Sequence, residues 1–273
     1  MNFRTLLLAS AAIMVAGAAS AKDIADFTNP FSLPAEGKVL SDTRLSYGRI
    51  HTDTGLDEGV SEDMYASEEV TVGLGNGFAI TGRIGNAFDE EGEFNNDHNF
   101  DYALGAKYNH DFGKVLTQVG VGFSANDPQS FYGQAYGDDN DEFNDRWEKS
   151  IDAYVMVGYD AGCMTPYTKF AVDGDIDTDN NEQEYTWSLG VHKTWEKASA
   201  DVSVNYIFGN FDNDDDKVEG NNKVEEFYLN GEANYFVKEN VALGVYGSYY
   251  LGGDYHKDID YGYEAGLSAR VLF

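Results

Sequence analysis

The sequence predicts an all-β fold, a transmembrane antiparallel up-and-down β-barrel. Three observations predict it: an export leader at the N-terminus, apolar residues on every second position through most of the chain, and connections that alternate between short turns and long acidic loops.

The leader occupies residues 1–21 as a signal peptide. Arg4 supplies its positive start, Leu6 to Val15 a short apolar core, and Ala19-Ser20-Ala21 a small-residue cleavage pattern, so Sec-type export and cleavage after Ala21 are expected. The apolar run is too short to cross a bilayer as a helix, and no later stretch approaches the roughly 20 consecutive apolar residues that a helix needs. No cysteine stands at the cleavage point, so no lipid anchor is expected. Residues 22–37, with Pro30 and Pro34, read as a short tail ahead of a barrel domain over 38–273.

The strands follow from alternation. A first is expected from about Val39 to Ile50. Val70, Val72 and Leu74 lead into Asn76-Gly77, a dipeptide suited to a type I′ hairpin because both central residues must take positive φ. Phe78, Ile80, Gly82 and Ile84 return on one face, with Ala79, Thr81, Arg83 and Gly85 on the other. Tyr102, Leu104 and Ala106 precede a turn near 111–114, and Val115 to Phe123 come back from it. Ile151 to Tyr159 and Pro166 to Val172 flank the turn at Asp160-Ala161-Gly162. Tyr185 to Trp195 pairs with Ala200 to Phe208, Phe227 to Tyr235 pairs with Val241 to Tyr249, and Ile259 to Phe273 comes last. The count is twelve, an even number as single-chain barrels require; ten is the alternative, because the first and seventh strands are the least regular.

The connections near 76, 112, 162, 197 and 238 are short. The opposite set, about 53–67, 89–97, 125–146, 173–183, 210–222 and 252–258, is long, polar and acidic. A soluble sandwich has no reason to sort its loops this way. Aromatic spacing agrees: Tyr185 and Trp195, and again Tyr263 and Phe273, lie ten residues apart on one face. At ~3.3 Å per residue and a tilt near 40° that separation is about 25 Å, the height of an apolar membrane band.

The chain closes on Tyr261-Gly262-Tyr263-Glu264-Ala265-Gly266-Leu267-Ser268-Ala269-Arg270-Val271-Leu272-Phe273. This strand resembles the ending of the Gram-negative outer-membrane β-barrel superfamily, close to its small porin-like members. The resemblance implies an outer-membrane location, short periplasmic turns, long external loops, and Phe273 as the signal read by the barrel-assembly machinery. Periplasmic chaperones during biogenesis, then outer-membrane lipid and lipopolysaccharide, are the partners it implies. It carries no function-bearing motif, so no site residue comes with it.

Charge narrows the function. Lys and Arg total 18 against 48 Asp and Glu, a net charge of −30. Nucleic acid and anionic lipid are poorly matched to such a surface, whereas cations suit it. Parity places Asp101, Lys107, Asp152, Lys169, His192, Asp201, Glu232, Asp260, Glu264 and Arg270 on the lumen side. Charges cannot sit in a dry interior without partners, so either water fills the lumen or the residues form a salt-bridged plug. The expected function is passive, weakly cation-selective diffusion of small hydrophilic solutes through a monomeric porin-like channel. The alternative is a plugged structural or adhesive barrel whose acidic loops bind cations or lipopolysaccharide.

No cofactor is required by this reading, but loosely bound Ca²⁺ or Mg²⁺ in the external loops is expected. Asp173, Asp175 and Asp177 followed by Glu184 have the spacing of a calcium loop, although Thr178 replaces the usual sixth-position glycine and strands flank the segment. Asp212, Asp214, Asp215 and Asp216 form a second acidic cluster. An enzyme is not expected, and an outer-membrane hydrolase is only the third reading. His98, His110 and His256 each have an acidic neighbour in a turn or loop crowded with acids, no Gly-x-Ser-x-Gly occurs, and the single Cys163 sits in a short turn.

Overall fold

The computed structural model describes residues 27–53, 58–88, 100–126, 148–176, 183–210, 223–253 and 259–273. They form twelve strands: β1 (Val39–Asp53), β2 (Glu58–Gly75), β3 (Phe78–Phe88), β4 (Phe100–Phe112), β5 (Val115–Asn126), β6 (Glu148–Tyr159), β7 (Thr165–Asp175), β8 (Gln183–Trp195), β9 (Ala198–Asn210), β10 (Lys223–Lys238), β11 (Val241–Gly253) and β12 (Ile259–Leu272). Every strand pairs antiparallel with its sequence neighbour, and β12 closes on β1. Closure reaches the last residue, where the Phe273 amide donates to the Val39 carbonyl at 2.8 Å. A closed sheet leaves no unpaired backbone edge, which is the condition for crossing lipid with strands.

The short connections form tight turns at one end. Asn76 has φ 52° and Gly77 φ 82°, the pair of positive values a type I′ turn demands. The first long connection is shorter than the sequence suggests. Residues 58–67 are strand instead of loop, and β2 pairs with β1 out to Asp53↔Glu58. Acidic and small residues interrupt the apolar alternation over this stretch of sequence, so alternation gives little signal there.

Outward positions are apolar and open: Leu104 is 66% exposed, Leu267 62% and Val121 59%. In a soluble protein these would be costly; against lipid they are matched to their surroundings. Two aromatic girdles bound the band. Phe170, Tyr185, Phe208, Tyr206 and Phe227 form a stacked ladder towards the long-loop end, with centroids 4.7–6.2 Å apart. Phe78, Tyr108, His110 and Phe112 cluster at the short-turn end.

One charge breaks the band. Glu68 shares the outward face of β2 with Met64, Val70, Val72 and Leu74, and its register partner on β3 is Ile84, itself 46% exposed. Its carboxylate accepts from the hydroxyls of Ser41 and Thr43 on β1. Among the described residues it is the one charged side chain facing outward midway between the girdles. The hydroxyls satisfy its oxygens but leave its charge against hydrocarbon, which is costly. Glu68→Gln keeps an acceptor for the hydroxyls and removes the charge. It is expected to stabilise the barrel by about 1 kcal/mol, seen as a higher urea midpoint for unfolding from liposomes.

Inside, bulk is accommodated by absent side chains. The rings of Tyr154, Tyr167 and Tyr246 lie flat over Gly120, Gly190 and Gly266 on the neighbouring strand, where a Cβ would run into the ring. Gly120→Ala is therefore expected to displace Tyr154 and cost about 1–3 kcal/mol as overpacking. A urea titration of the folded barrel measures it.

Candidate functional site

Strand parity puts one charged set on each side of the lumen. On the β10–β1 wall, Arg270 donates from Nε to Asp42 at 3.0 Å and from Nη2 to Glu232 at 2.7 Å. Arg44 reaches the same two acids at 2.9 and 3.4 Å, with its guanidinium 5.0 Å from the Tyr246 ring centroid. Gly244 lies between Arg270 and Glu232 on β11, and a Cβ there would strike Asn234 and Ser268. That bare backbone lets side chains of β10 and β12 meet across the intervening strand.

On the opposite wall, Asp101 accepts from Arg83 at 2.9 Å and from the Tyr65 hydroxyl at 2.7 Å. Lys107 Nζ lies 3.2 Å from Glu69. Lys169 Nζ stands 4.7 Å over the Tyr154 ring. Further round, the Tyr167 hydroxyl donates to Asp201 at 2.7 Å, and His192, only 2% exposed, holds Nδ1 3.5 Å from the same carboxylate.

Between these walls lie two polar cavities of about 630 and 350 Å³. The larger has room for about twenty waters at ~30 Å³ each. Both are bordered by Glu69, Arg83 and Lys107, so they adjoin. The smaller extends the space towards the long-loop end past Asp152, Lys169, Asp173 and Glu184. Lumen-side acids outnumber bases among the described strand residues. Asp42, Glu69, Asp101, Asp152, Asp173, Glu184, Asp201, Glu226, Glu232 and Glu264 face Arg44, Arg83, Lys107, Lys169 and Arg270.

The residues expected from parity fall as follows. Lys107, Asp201, Glu232, Glu264 and Arg270 border the larger cavity, and Asp152 and Lys169 border the smaller. Asp101 is buried in the wall behind its ion pair, and His192 is buried beside Asp201. Asp260 is on β12, but its side chain lies outside the described residues. Asp42, Arg44, Glu69, Tyr65 and Gln118 are further lumen residues that the sequence reading did not single out. Their signal was available, since Asp42 and Arg44 alternate with Leu45 and Tyr47, and Glu69 with Val70 and Val72.

Of the calcium-loop residues, Asp173 and Glu184 stand directly opposite each other in the β7–β8 register. Asp175 ends β7, its side chain outside the described residues, as are Asp177 and the Asp212–Asp216 cluster. Among the described residues no three His, Cys, Asp or Glu side chains converge as a metal site. His98 and His256 also lie outside the described residues. His110 is placed on the outer girdle between Tyr108 and Phe112, and its sequence neighbour Asp111 points to the other face of the strand. Cys163 is an exposed thiol in the β6–β7 turn.

The tail ahead of β1 takes a defined position. Phe27 packs edge-on against Phe236 at 5.7 Å, in a cluster with Ala242, Leu40 and Leu272. Phe31 packs edge-on against Tyr167 at 6.2 Å, and its carbonyl accepts from Asn109. The Pro30 carbonyl accepts from Gln118 at 3.0 Å. Residues 27–30 and 32–34 line the larger cavity with the barrel wall.

No protein-family model matches the sequence, and no curated protein does either. Solved structures match the fold. An outer-membrane channel from Pseudomonas putida F1 superposes with a TM-score of 0.61 at 10% identity, covering 90% of this chain and 98% of that one. The NanC porin superposes with a TM-score of 0.55 at 10% identity, covering 85% and 98%. The chain shares with these two structures the fold of a closed antiparallel β-barrel.

Proposed function

We propose that this barrel is an outer-membrane channel through which small hydrophilic solutes diffuse passively, with a weak preference for cations. The observation that carries the reading is the polar space between two charged walls, in which acids outnumber bases. An interior tuned for structure alone would fill this volume with side chains; here small residues such as Ala103, Ser124 and Ala171 border it. Lumenal carboxylates raise local cation concentration and oppose anions. The two solved structures named above are an outer-membrane channel and a porin, which agrees with this reading. The working unit in it is a monomer in outer-membrane lipid, and the acidic external face takes up Mg²⁺ or Ca²⁺ loosely and meets lipopolysaccharide through them.

Liposome swelling tests the reading. Protein refolded into liposomes is expected to admit small neutral sugars, with rates that fall steeply as the sugars lengthen. Liposomes that hold folded barrel and swell no faster than empty ones would sink it.

A further inference from the structure

We infer that residues 27–34 form a strap across the periplasmic mouth that sets the effective bore of the channel, an inference that rests on the diffusion reading above. The strap touches the wall at widely separated places, all close to short turns. Phe27 is held at the β10–β11 side by Phe236 and Ala242, which flank the turn at 239–240. Phe31 is held at the β6–β7 side, where a Cβ on Gly158 would lie 2.6 Å from its ring. The chain then runs to β2, where the Pro34 carbonyl occupies the space a Cβ on Gly73 would fill. A segment with its anchors on such distant strands has to cross the opening between them.

The anchoring is specific as well as apolar. Phe27 and Phe31 are 8% and 7% exposed, so both rings have left water completely enough to hold the segment in place. Asn109 and Gln118 donate to the carbonyls of Phe31 and Pro30, and the Tyr154 hydroxyl in turn fixes Gln118 at 2.5 Å. Within the strap, the Asn29 side chain accepts from the Phe31 amide at 3.0 Å, and Ser32 donates to the Asn29 carbonyl at 2.8 Å, forming a compact turn. The larger cavity ends on this turn, with Asn29, Pro30, Ser32 and Leu33 in its lining. A solute leaving the cavity towards the periplasm meets the strap before it meets the turns.

Single-channel recording of the complete exported chain in planar bilayers tests this, with two double variants beside it. Phe27→Ala/Phe31→Ala removes the rings from the strap side, and Asn109→Ala/Gln118→Ala removes the donors from the wall side. Neither pair touches a backbone hydrogen bond between strands, and heat-modifiable migration on a gel verifies that each barrel has folded. Both pairs are expected to raise unit conductance several-fold, or to add a long-lived larger level. Unchanged conductance in both folded pairs would overturn the strap and leave the channel standing. Folded barrels silent in all three forms would overturn the channel reading, and the strap's role with it.

Discussion

Replacing Asp152, Asp173, Glu184 and Glu264 together by their amides is expected to abolish most of the cation preference of the channel. These four acids border the two cavities, and replacing them leaves in place the pairs of Arg270 with Glu232, Arg83 with Asp101 and Lys107 with Glu69. What remains is near balance, with Asp42 and Glu232 facing Arg44 and Arg270, Asp101 facing Arg83, and Glu69 facing Lys107. Selectivity in a wide aqueous pore follows the net charge of its wall, so a nearly balanced wall has little to select with. The readout is the zero-current potential under a salt gradient, which should move from the cation side towards zero. Lys169→Ala is expected to move it the other way, because it removes a cation that borders the same cavity. A quadruple variant as cation-selective as the parent would mean that the external loops, not the wall, govern the permeating ions.

Arg270→Ala is expected to cost the barrel about 2–4 kcal/mol, somewhat below the range for breaking a fully buried pair because water reaches this wall. Arg270 is the joint between Asp42 and Glu232, at 3.0 and 2.7 Å, and its side chain is 11% exposed. Removing it leaves two carboxylates on one stretch of wall with Arg44 alone to neutralise them, and Arg44 reaches Glu232 only at 3.4 Å. Arg270→Lys keeps the charge but loses the planar fork that serves both acids at once, so roughly half the loss is expected. Urea unfolding from liposomes measures both. The cost should shrink when Glu232→Gln accompanies Arg270→Ala, since the second change relieves the repulsion that the first creates.

Much of the barrel was legible because its apolar side chains obey one constraint, alternation against lipid. Leu104, Val121 and Leu267 point outward as parity required, and Asn76-Gly77 makes the turn its chemistry dictates. Legibility failed where that constraint lapses. Residues 58–67 extend β2 by pairing with β1, and little in a largely polar stretch distinguishes a tall hairpin from a loop. Glu68 was hidden for the same reason, since its polarity argues against the outward face that its register assigns.

The lumen was legible residue by residue but not as an arrangement. Parity placed Arg270 and Glu232 on the inner face, yet β11 separates them, and their meeting across it is not read from either strand alone. The strap was the least legible element. Phe27 and Phe31 have no periodic partner in sequence, and their burial depends on walls contributed by β6, β7, β10 and β11. Its proline pair suggested a short tail, which says nothing about the compact turn it makes or where that turn packs.

The claim that the barrel encloses a water-filled passage with an acidic wall is tested most directly by single-channel current across a planar bilayer, under a potassium chloride gradient. The complete chain is expected to give small, discrete current steps whose zero-current potential lies on the potassium side. A correctly folded barrel that passes no current, or one whose zero-current potential lies on the chloride side, would contradict it.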